Sequence, residues 1–109
     1  MVGKILSLEE NQGEHPMQAN QRIYRLAFST PEPVTPDKIW EVAKEYFTSY
    51  TLYNTQGVWQ GDIEHSYILE VLGERAELLI VQALAVHLRD YFEQTAVLVT
   101  AQDITWEMI

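Results

Sequence analysis

Three places in the chain hold residue types capable of chemistry at close spacing. His65 lies beside Glu64 and three residues after Asp62, the most compact set of metal-ligand types in the sequence. A closed metal site needs three or four converging ligands. Neighbouring residues on a strand point to opposite faces, so Glu64 and His65 diverge, and no metal site is expected. His87 is followed at i+3 by Asp90, a spacing that can orient an imidazole for base catalysis. No serine stands in a nucleophile elbow, which leaves His87 the structural role of a partly buried imidazole satisfied by a local carboxylate. Trp59 sits between Gly57 and Gly61 and next to Asp62 and Glu64. An indole so placed can anchor a protein partner, fold back over Gly57, or cap the core. The chain has no GxGxxG, no Walker sequence and no paired-acid arrangement.

Charge narrows the partners. Sixteen acidic residues against seven basic ones give a net charge of −9, with no Lys or Arg between Lys44 and Arg75 and none after Arg89. Nucleic-acid backbones need a basic stripe, and none can be assembled, so direct nucleic-acid binding is not expected. The acidity fits solubility, a basic protein partner, or mimicry of nucleic acid. The absence of cysteine excludes disulfides and thiol catalysis. No apolar run reaches the ~20 residues of a membrane span, and no signal peptide is visible, so a cytoplasmic protein is expected.

The elements that would position these residues follow from periodicity. Residues 1–21 read as a flexible arm, in which Lys4 to Leu8 could add a short strand, and residues 22–109 as one domain. From Arg22 to Thr30, Tyr24, Leu26 and Phe28 alternate with Ile23, Arg25, Ala27 and Ser29, which is a strand. Thr35 and Pro36 open a helix whose buried stripe is Ile39, Val42, Ala43, Tyr46, Phe47 and Tyr50. Residues 51 to 73 form a hairpin. A turn at Gly61-Asp62 sets Tyr53 opposite Glu70, Thr55 opposite Ile68 and Trp59 opposite Glu64. A second helix runs from about Glu74 to Gln94, burying Ile80, Val81, Leu84, Ala85, Leu88, Tyr91 and Phe92. Leu79 and Val86 fall on its outer arc as a second contact surface. Ala96 to Ala101 and Ile104 to Ile109 are strand-like, with a bend or bulge at Asp103.

The order strand, helix, strand, strand, helix, strand predicts an α+β, ferredoxin-like βαββαβ sandwich, with two helices on one face of an antiparallel sheet. The opposite face would carry Tyr53, Thr55, Ile68 and Glu70, with Arg25 beside Glu70. An uncovered aromatic sheet face is usually buried by something, and a second copy is the simplest occupant.

The segments Gln56-Gly57-Val58-Trp59-Gln60-Gly61, Ser66 to Glu70 and Ala96 to Thr100 resemble small uncharacterised ferredoxin-like proteins of bacteria and their mobile elements. In that group a Gly-x-Trp-x-Gly hairpin precedes a helix and a terminal strand pair. The resemblance covers residues 22–109 and implies a fold. A more distant likeness is to the nitrogen-regulatory PII superfamily, which forms trimers and binds nucleotides between subunits. This chain departs from that pattern in its short acidic hairpin and its lack of phosphate-holding basic residues, so no ligand residues carry over.

Together these readings predict a non-enzymatic interaction or regulatory domain without a cofactor. Trp59, Asp62, Glu64 and Tyr53 are the expected partner-binding residues. Arg25, Ile68, Glu70, Leu79 and Val86 are the expected oligomer contacts. One alternative is a small-ligand sensor with a pocket between subunits lined by Tyr53, Arg25 and Glu70. Another is an acidic inhibitor that imitates nucleic acid.

Overall fold

A computed structural model describes residues 21–107 and Ile109. The segment expected to form a flexible arm with a short strand therefore lies outside the described residues, except that Gln21 is the first residue of β1 (Gln21–Thr30) rather than the last of the arm. The chain continues through α1 (Pro36–Ala43), β2 (Thr51–Trp59), β3 (Asp62–Glu74), a 3-10 turn over Arg75–Glu77, α2 (Leu78–Tyr91) and β4 (Leu98–Ile104). The strands form one antiparallel sheet in the order β2-β3-β1-β4. This is the ferredoxin-like α+β fold, with both helices on one face.

Alternation in the two central strands decides which face the helices cover. Tyr24, Leu26 and Phe28 of β1 and Tyr67, Leu69 and Val71 of β3 are buried. They meet Ile39, Val42 and Ala43 of α1 and Val81, Leu84, Ala85 and Leu88 of α2 in one cluster. The intervening residues of both strands point to the open side.

Buried polar groups tie loops to this core. The Tyr67 hydroxyl accepts from the Val34 amide at 2.7 Å, and the Tyr24 hydroxyl donates to the Glu74 carbonyl at 2.7 Å. Trp40, exposed on α1, is covered on one side by the Lys44 ammonium 4.5 Å from its ring centroid. Burial pushes the Tyr50 phenol above its ordinary pKa.

Four local expectations are corrected. The hairpin turn is Gln60-Gly61, with φ of 50° and 87°, and Trp59 pairs with Asp62. Every β2–β3 pair thus differs from the expected register by two residues, so each side chain keeps its predicted face. Helix α1 ends at Ala43. Tyr46 and Phe47 lie in a turn whose amides both bond the Ala43 carbonyl, and they still pack on the core. Glu74 belongs to β3, and Gly73 lies within that strand paired with Arg22, so α2 begins only at Leu78. Its buried side is narrower than expected, since Ile80 and Tyr91 are exposed. Asp103 makes no bulge: it pairs with Arg22 in an unbroken β1–β4 ladder. There its carboxylate takes Arg22 Nε at 2.9 Å and Arg75 Nη2 at 2.6 Å.

Sheet and helices differ in reach. Thirteen residues of β3 extend about 43 Å, whereas the fourteen of α2 rise about 21 Å. Strand β1 stops where Thr30 faces His65, so the hairpin from Gly57 to Glu64 continues as a two-stranded ribbon.

Candidate binding surface on the open sheet face

The site residues divide between three surfaces. At the hairpin tip, two successive positive φ values bring the chain back on itself, a geometry that matches the right-handed twist of the strands. Beyond the end of β1 neither helix nor third strand covers the ribbon, so its apolar side chains stay in water. Trp59 is 64% exposed, and Val58 and Ile63 are each 69% exposed. Asp62 is the cross-strand partner of Trp59, and Glu64 lies diagonally from it on the same face. Trp59, Asp62 and Glu64 thus share one end of the molecule. Tyr53, expected in the same set, stands six residues back along β2, opposite Ile68.

The middle of the open face carries the second group. Arg25 Nε lies 3.1 Å from Glu70 Oε1 on the neighbouring strand, and Arg25 Nη1 reaches Gln102 at 3.4 Å. Apolar rows flank this ion pair. Tyr53, Ile68, Ala27 and Leu98 cross the sheet on one side of it, and Leu72 and Ile23 pair on the other. Arg25, Ile68, Glu70 and Tyr53 therefore do come together.

Leu79 and Val86 do not join them. Both are exposed on α2, on the side of the molecule away from the open sheet face. They form a separate helical surface, so the predicted oligomer residues do not make one patch.

The two expected histidine arrangements resolve differently. His65 is exposed on β3 and, by strand alternation, turns away from Glu64. Among the described residues no three His, Asp or Glu side chains gather as metal ligands. His87 does not pair with Asp90: its Nδ1 lies 3.0 Å from the Tyr46 hydroxyl, and Asp90 takes Arg89 Nε at 2.9 Å.

A feature that no local sequence pattern announces lies at the hairpin end of the open face. A trough of about 530 Å³ crosses the strands there. Ser29 and Ser66 are among the residues lining it, Trp59 and Glu64 flank it from the hairpin, and Thr95 and Leu98 border it on the far side. Small residues across adjacent strands between two large ones leave this depression. Gly57 adjoins this floor: a Cβ there would sit 3.5 Å from the Ser66 Cβ and 3.8 Å from the Ser29 hydroxyl. Gly57 has no positive φ, so unlike Gly61 it is no device for bending the hairpin. The signal available in the sequence was the set of small residues at open-face positions 27, 29, 57 and 66. Only the strand register shows that they adjoin.

No family model matches this chain, and no curated protein matches it. Among solved structures it is similar to a phage SAM lyase in its apo state. The TM-score is 0.57 at 16% identity, over 80% of this chain and 87% of that one. That likeness establishes the fold alone. Among the described residues no helix is long and apolar enough to cross a membrane.

Proposed function

We propose that this protein is an interaction domain that pairs with copies of itself through the open sheet face. The observation that carries the reading is the central Arg25–Glu70 ion pair bordered by uncovered apolar rows, with Leu98 65% exposed. Four strands about 4.8 Å apart and a ten-residue β1 rising about 3.3 Å per residue span roughly 600 Å² before side-chain relief is counted. A stable interface buries about 800 Å² per partner, so the face is of suitable size. Its central charges neutralise one another. A chain of net charge −9 therefore meets its own copy there with the least repulsion. Sedimentation at micromolar concentration is the test. The wild type is expected to be dimeric or larger, and Ile68→Glu, which sets a second acid beside Glu70, is expected to give folded monomers. A wild-type monomer at high concentration would end this reading.

A second reading is favoured by the solved neighbour. Its name makes that protein a lyase acting on SAM (S-adenosylmethionine). On this reading Tyr53, Arg25 and Glu70 would hold a small ligand between copies, and turnover of SAM would make the chain an enzyme. Incubation with SAM followed by chromatography discriminates the two, since an interaction domain leaves the compound intact. A rise in melting temperature with added SAM, unaccompanied by loss of the compound, would show a sensor.

A further inference from the structure

We infer that the trough beside Trp59 is a binding site for a small organic cation, a sulfonium or a methylated ammonium. The inference needs neither self-association nor turnover.

The trough, about 530 Å³ and open to solvent on one side, has room for a small molecule or for its charged end. Its chemistry selects the charge. Trp59 and Glu64 lie on one face of the ribbon, so an aromatic ring and a carboxylate border the same depression. A cation over an indole is held by the ring quadrupole, and a nearby carboxylate adds a Coulombic term. Among the described residues Glu64 has no salt-bridge partner, and no Lys or Arg lines the trough. The nearest basic residue on the face, Arg25, is engaged by Glu70. A phosphate or carboxylate ligand would thus meet an unpaired acid with no compensating base.

The lining also selects the kind of cation. A hard metal ion needs six or more converging oxygen ligands, and a single carboxylate, with Ser29, Ser66, Gln94 and Thr95 spread along the trough, does not supply them. A primary ammonium is a strongly hydrated point charge and keeps its water in so open a depression. A methylated ammonium or sulfonium demands no hydrogen bonds and spreads its charge over apolar groups. Leu98, Ala27 and the indole can cover those groups. Ser29 and Ser66 remain to orient polar atoms of whatever the cation is attached to.

Amide-resolved NMR with tetramethylammonium chloride tests this, with tert-butanol as the neutral probe of similar shape and sodium chloride as the ionic-strength control. The Trp59 indole resonance is assigned by its loss in Trp59→Phe. Tetramethylammonium is expected to shift that resonance and the Ser66 amide along a saturating curve, and neither control should do so. Glu64→Gln is expected to weaken binding by about fivefold, in line with loss of one partly screened charge. Gly57→Val, which fills the floor from a strand position that tolerates branching, is expected to abolish it while leaving core resonances in place. SAM against S-adenosylhomocysteine, which shares its amino-acid charges and differs in having a neutral thioether in place of the sulfonium, repeats the comparison with a larger molecule. Equal response to charged and neutral probes, no response to either, or binding undiminished in both Glu64→Gln and Gly57→Val would each overturn the proposal.

Discussion

The Tyr46 hydroxyl and Nδ1 of His87 lie 3.0 Å apart, joining the turn after α1 to the middle of α2. The two rings meet edge to face with centroids 5.8 Å apart, and Tyr91 closes the other side of the imidazole at 6.4 Å. His87 is therefore a bracket between helical segments. Tyr46→Phe should lower stability by about 1 kcal/mol in urea denaturation, the usual worth of a partly buried hydrogen bond. In a His87→Ala background the same substitution should cost almost nothing. An unchanged cost there would break the assignment.

Tyr67 supplies a stronger test of buried polarity. Its ring is in the core, tilted against Phe28 with centroids 5.5 Å apart, and its hydroxyl satisfies the Val34 amide. Tyr67→Phe removes the acceptor while keeping the ring. The expected loss is about 1 to 3 kcal/mol by chemical denaturation. It should be accompanied by faster hydrogen exchange at Val34, the readout specific to this bond.

The hairpin turn offers a stabilising substitution. Gln60 holds φ of 50°, a region in which Asn is less strained than Gln, and Gly61 follows at 87°. Gln60→Asn should raise stability by about 0.5 kcal/mol in thermal unfolding, and Gly61→Val should lower it by about 1 kcal/mol or more. Were the turn instead at Gly61-Asp62, the introduced asparagine would sit in a strand and destabilise it.

Asp103 predicts a dependence on salt and on strong alkali. Hydrogen bonding to Asp103, followed by a smaller contribution from Tyr24, raises the Arg22 pKa above its ordinary value. A raised folded value means the pair's stabilisation is fully present below the unfolded pKa and lost only as pH climbs past the folded one. Around neutrality the guanidinium is thus insensitive to pH. Both partners are exposed enough for salt to screen them. Asp103→Asn should lower the melting temperature slightly in dilute buffer, and the gap should close in concentrated salt. A gap unaffected by salt would mean that the carboxylate matters for packing.

Much of this architecture could be read from single residues. Tyr24, Leu26 and Phe28 alternate with Ile23, Arg25 and Ala27, and that alternation alone sets which side of the sheet is covered. The misplaced turn left the face assignments intact, because an offset of two residues preserves strand parity. Helix ends were less legible. Tyr46 and Phe47 have helical spacing and reach the core, yet a turn after Ala43 places them there just as well. The i+3 spacing points His87 to Asp90 because it is a local rule, and no local rule can name Tyr46, forty-one residues away. The trough was invisible for the same reason. Ser29, Ser66 and Leu98 come from three strands, and none is distinctive until registers align them.

The ribbon from Gly57 to Glu64 lies outside both packed layers, so its length is not constrained by the helices. Strand parity constrains it instead. Adding residues to each strand in even increments carries the indole outward while keeping its orientation, whereas a single insertion on one arm turns Trp59 toward the opposite side. Natural variation in this protrusion should consequently come in paired steps, adjusting how far it projects without altering what it shows.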